Sequence, residues 1–222
     1  MFPEPLSAAS TPAPTIPRRV PVNPAAMAGD YFTWGELIES QAARRRPEVW
    51  AQQIDPPDGV LLNLRRLVGD VLDPLRRALG CPLTVSSGYR CPELNVIVQG
   101  ADKSAHIAGR AADLKASIWL ATDGELHEER ATVLNGAIVQ GRSMRDVPRT
   151  GNGWLWLAVV QWSHALKIDK AIHEFGSPGV PAWIHVQVSE TASAAPREQF
   201  LRHDPAGGHY YERMTREEAI CL

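Results

Sequence analysis

"SAHIAGRAADLKAS", residues 104–117, decides how the chain is read. Its second half, from Gly109, has the composition of a short strand, and its first half is a loop of small residues that leads into it. The stretch sets His106 and Asp113 seven residues apart, with Ala105, Ala108, Gly109, Ala111 and Ala112 around them. Imidazole nitrogen and carboxylate oxygen are zinc ligands, and a catalytic zinc site keeps three protein ligands and leaves the fourth place to water. Small residues would let the chain pass a metal without filling the water position. The spacing alone is weak evidence, because such a pair arises often by chance and a lone His106 is more often a satisfied loop histidine. A third ligand of the right type stands in "AWIHVQV", residues 182–188, at His185.

Outward from that stretch, "PLTVSSGYR" (82–90) reads as a strand running into a glycine turn, and "KAIHEF" (170–175) and "AWIHVQV" as two more strands. His173, Phe175, His185 and Gln187 take alternating positions along them. Before the strands, Thr33 and Glu36 in "YFTWGELIES" (31–40) have the spacing of a helix-capping box. "LLNLRRLVGDVLDPLRRAL" (61–79) repeats leucine and valine at helical spacing, with Arg65, Arg66, Arg76 and Arg77 as a solvated face and Pro74 as a kink or division. Residues 118–168, including "GELHEERATVLNGAIV", are helix-forming, and "HYYERMTREEAICL" (209–222) suggests a short terminal helix. Helix, strands, helices, strands is the order of an α+β fold, with a small, mainly antiparallel sheet flanked by helices.

A chain of 222 residues, 44% hydrophobic and 22% charged, can bury one substantial core. Residues 1–28 hold seven prolines and read as an arm or linker, 29–190 as the folded domain and 191–222 as a C-terminal extension. The 23 basic and 25 acidic residues balance, which argues against a nucleic-acid partner. Cys81, Cys91 and Cys221 form no paired framework and read as reduced thiols. The longest apolar run, "WLWLAVV" from Trp154, is too short for a membrane span, and "MFPEPLSAAS" lacks the pattern of a secretory signal. The expectation is synthesis in a cytoplasm without a signal peptide.

Taken together, "SSGYRCPELNVIVQGADKSAHIAGRAADL" (86–114) and "WIHV" (183–186) resemble the zinc D-alanyl-D-alanine carboxypeptidase and Hedgehog-type peptidase family. The shared pattern runs S-G-Y-R, L-N, S-x-H-x-x-G-x-A-x-D and W-x-H. The helical lead-in resembles the phage and prophage branch, and the likeness spans Tyr31 to Val188. It implies a Hedgehog/DD-peptidase-like fold and one Zn2+ held by His106, Asp113 and His185. Arg90 matches the family's substrate-side arginine, and Ser104 the serine that supports the site by hydrogen bonding. Glu174 matches the glutamate that moves the proton in catalysis. The implied reaction is hydrolysis of peptide stems or cross-links of bacterial peptidoglycan, by a carboxypeptidase or endopeptidase. Without a signal, such a hydrolase would reach the wall as an endolysin or as part of a phage particle, on its tail or baseplate. The arm would then meet other phage structural proteins. The different reading is a zinc-stabilised binding module without turnover.

Plainer readings stand beside these. Arg90 could pair with Glu93, Glu174 could be a solvated strand-end acid, and Trp183 could be core or a cleft wall. His164, His173, His203 and His209 have no motif support and read as ordinary. The chain departs from the pattern at Ala182, where some branches carry an acid or histidine. "GSPGVPA" (176–182) also lengthens the link from Glu174 to Trp183, as a loop over the cleft or as a displacement of the glutamate.

Overall fold

The computed structural model describes residues 22–116, 151–177, 180–203 and 211–222. Thr33 caps α1 (Trp34–Ile38), and both halves of the box form: the Glu36 N–H donates to Thr33 Oγ1 at 3.3 Å, and the Thr33 N–H donates to Glu36 Oε2 at 2.8 Å. Two short helices follow, α2 (Gln41–Arg44) and α3 (Pro47–Gln53). The leucine-rich segment then forms α4 (Asp58–Leu67), a π-helical turn (Val68–Leu72) and α5 (Asp73–Leu79). Its expected division at Pro74 takes the form of that π turn. Pro74 has no N–H and its ring crowds the carbonyl four residues back, and the wider winding lets the Asp73 N–H reach Val68 O instead.

The four arginines of this segment are more engaged than a solvated face. Arg65 lies over Trp34, and Arg76 and Arg77 over Tyr31. Arg77 also pairs with Asp30 at 2.6 Å, and Arg66 donates to the Ser189 carbonyl. Apolar stems lie along rings and backbone while the charged ends reach partners.

Six strands form one mixed sheet: β1 (Leu83–Ser87), β2 (Ala111–Ala116), β3 (Ile168–Glu174), β4 (Trp183–Val188), β5 (Gln199–His203) and β6 (Tyr211–Met214), in the order β1-β2-β4-β3-β5-β6. Among the described strands only the β3–β5 pairing is parallel. Among the described residues the remaining helices are α6 (Pro92–Ile97), α7 (Gly151–Gln161) and α8 (Arg216–Cys221). The α+β class follows from these elements. Residues after 190 are woven into the sheet as β5 and β6. The expected terminal helix begins only at Arg216, behind a Thr215–Glu218 capping box, and Tyr211–Met214 is a strand instead. "GELHEERATVLNGAIV" and His209 lie outside the described residues.

Strand register separates the two faces of the sheet. Ala112 faces Val186, Leu114 and His173 face Ile184, and Ala171 faces Val186 and Phe200, which places these seven on one face. They are buried, with the largely apolar α7 packed against β2, β3 and β4. His173 stands edge-on to Trp156 at 5.5 Å, so it belongs to the core. Asp113 faces His185, His185 faces Ile172, and Glu174 lies one strand repeat beyond Ile172, all on the opposite face. Among the described residues no helix is long and apolar enough to cross a membrane.

Candidate metal centre

Two of the three expected ligands are set opposite each other by the antiparallel register of β2 and β4, which pairs Asp113 with His185. His106 comes from the loop before β2. That loop is fixed by its own turns, with the Gly109 N–H on His106 O at 3.1 Å and the Arg110 N–H on Ala105 O at 2.9 Å. Gly109 adopts φ +67°, and a Cβ there would meet Val60 O at 2.7 Å. The requirement for glycine therefore comes from close approach to α4 and a left-handed turn, with Ala112 on the core face. Gly109 and Ala112 thus serve packing, where the sequence suggested clearance for a metal and its water, whereas Ala111 lies on the same sheet face as Asp113.

The donor atoms converge. His106 Nε2 is 3.2 Å from His185 Nδ1, and Asp113 Oδ1 lies 3.3 Å from the first and 3.0 Å from the second. Tetrahedral zinc with bonds of 2.0–2.1 Å separates its ligand atoms by about 3.3 Å. The donor set therefore fits zinc in both kind and spacing, and all three residues are buried. His106 Nδ1 lies 2.6 Å from Gly88 O and donates its proton there, which leaves Nε2 as the ligand atom. Burial would raise the Asp113 carboxyl, but the charge and hydrogen bonds of His106 and His185 outweigh it and hold the group well below the usual carboxylate range. Burial pushes the His185 imidazole down, against the pull of Asp113.

Arg90 sits inside this centre. Its Nη2 donates to Asp113 Oδ2 at 2.7 Å and its Nε to Ser87 Oγ at 2.8 Å. Asp113 is thus divided between its two oxygens, Oδ1 toward the histidines and Oδ2 toward the guanidinium. The turn carrying Arg90 is clamped from below by Gln53, fully buried, which donates to Ile38 O and Tyr89 O and accepts from the Cys91 N–H. Gly88 is required there because a Cβ would lie 2.2 Å from Leu37 O.

The backbone bonds of Ser104 are turns of its own loop, with its N–H on Ala101 O and its carbonyl accepting from the Ile107 N–H. Glu174 ends β3, is buried, and accepts a hydrogen bond from the Tyr211 hydroxyl, 3.2 Å from Oε1 and 3.5 Å from Oε2. Burial raises its carboxyl above the ordinary value, partly opposed by His185 and reinforced by Asp113. Beside it a row of rings runs along the same edge. Phe175 lies 4.9 Å from Trp183 and 4.0 Å from His203, and His203 lies 5.7 Å from Tyr211. Trp183 therefore belongs to this row of rings and lies outside the hydrophobic core. His203 and Tyr211 fall outside the sequence expectation for the site. The available signal was the alternation of β5 and β6, too short and too exposed to register as strands.

A Peptidase M15 family model matches residues 30–125. The M15 match takes in Arg90, His106 and Asp113, and stops before Glu174, His185 and Tyr211. With the buried His106–Asp113–His185 group, it supports a zinc metallopeptidase. No curated protein matches the chain.

Proposed function

We propose that the chain is a zinc-dependent hydrolase of bacterial peptidoglycan, cutting peptide stems or cross-links as a D,D-carboxypeptidase or endopeptidase. The observation that carries this reading is the convergence of His106, Asp113 and His185 on one point, with Glu174 on the same sheet face. The peptidoglycan substrate and a phage origin rest on the motif resemblance.

A zinc ion held by these three residues supplies Lewis acidity to a scissile carbonyl and to water. Arg90, anchored through Nε and Nη2, presents its remaining N–H donors to a substrate carboxylate or to the oxygen that gains charge. Glu174 takes a proton from the attacking water on a carboxylate oxygen and returns it to the leaving amine. Its raised affinity for protons suits both halves of that exchange. In a virion-bound form, the arm of residues 1–28 joins the enzyme to other phage structural proteins.

Digestion of purified peptidoglycan with the zinc-loaded protein, with His106→Ala as control, tests the reading. New amine termini found by mass spectrometry only with the wild type are expected. No new termini would remove the peptidase.

A further inference from the structure

We infer that Tyr211, brought to the site by the last strand, is a positioning residue that fixes the Glu174 carboxylate by hydrogen bonding. The inference deepens the peptidase reading and rests on it. Glu174 is the last residue of β3, where its side chain loses the constraint of a following ladder pair, and the next residue, Phe175, takes φ +51°. A carboxylate at a strand end can turn about its side-chain bonds, yet a proton carrier has to hold one geometry through the reaction.

The Tyr211 hydroxyl donates to Glu174 at 3.2 Å and spans both oxygens. Tyr211 reaches this position because β6 pairs it with His203 and β5 runs parallel to β3, with His173 paired to Arg202. The contacts from His203 to Tyr211 and from His203 to Phe175 hold the ring from the side. Burial, then the charge and hydrogen bond of Glu174, push the phenol up to about 12, so the hydroxyl remains a donor at any pH at which a hydrolase of this kind works. The hydrogen bond fixes the rotamer of the carboxylate, which leaves the other lone pairs of the group for water.

The test uses the full zinc-loaded chain, wild type and Tyr211→Phe, on soluble stem peptides released from peptidoglycan. A second readout follows the ring-carbon NMR signals of 13C-tyrosine-labelled protein. The Tyr211 signal is assigned by its loss in Tyr211→Phe and then followed in Glu174→Gln. A hydrogen bond to a charged group predicts a fall in kcat of tenfold or more, on the order of its ordinary strength, with KM and zinc affinity within about twofold of wild type. The Tyr211 signal moves in Glu174→Gln. An unchanged kcat, a loss expressed in KM alone, or an unmoved signal overturns the inference. A wild type with no turnover overturns the peptidase reading and this role together, whereas an active wild type with an equally active Tyr211→Phe overturns the role alone.

Discussion

His106 Nε2 and His185 Nδ1 lie 3.2 Å apart with Asp113 Oδ1 within 3.3 Å of both. Two imidazole nitrogens this close repel through their lone pairs unless a proton or a cation lies between them. A bound cation relieves that repulsion and binds only the folded chain. At free zinc 100-fold above its dissociation constant the gain is about 2.7 kcal/mol. For a chain of this size that is roughly 5–10 °C in Tm. Thermal unfolding with and without a chelator should show this difference, and His185→Ala should abolish it.

Arg90 is expected to affect the metal as well as the substrate. It holds Asp113 Oδ2, and residues that orient a ligand typically contribute 10- to 100-fold in metal affinity. Arg90→Gln should weaken zinc binding by about that factor in competition with a chromophoric chelator. Arg90→Lys should recover only part of it, since one ammonium cannot serve Ser87 and Asp113 as the guanidinium fork does.

Gln53 supports the site without touching it. Gln53→Leu leaves two buried carbonyls and the Cys91 N–H without their partner and should cost about 2–4 kcal/mol in denaturant unfolding. The loss extends to zinc affinity, because Gly88, whose carbonyl orients His106, lies in the same turn.

His173 makes stability depend on pH. Burial pushes its imidazole down from 6.5 to about 4. As pH falls through 6.5 the unfolded chain takes up the proton first, so the contribution of His173 to stability declines between about 6.5 and 4, by about 3 kcal/mol, and is constant below. His173→Phe keeps a ring against Trp156 and should flatten that decline in urea unfolding across the pH range.

The residues legible in the sequence are those whose role is local or follows a strict pattern. Thr33 and Glu36 cap a helix three residues apart, and β4 alternates His185 and Gln187 against Ile184 and Val186. Ligand types at His106, Asp113 and His185 could be named because the motif keeps its order. The Arg90–Asp113 pair spans 23 residues and depends on how β1 turns beside β2, a relation that periodicity does not encode. Tyr211 was hidden for a different reason. Its strand is four residues long with only Met214 buried, so neither alternation nor apolar content separated it from the helix that follows.

Comparison of Glu174→Gln with wild type separates an enzyme from a zinc-stabilised binding module. Zinc content is measured on each purified protein, and new termini are counted during peptidoglycan digestion. Both proteins should hold one zinc ion, and Glu174→Gln should release termini about 10²- to 10⁴-fold more slowly. Equal rates in the two proteins, or a wild type that binds no zinc, would contradict a peptidase built on His106, Asp113, His185 and Glu174.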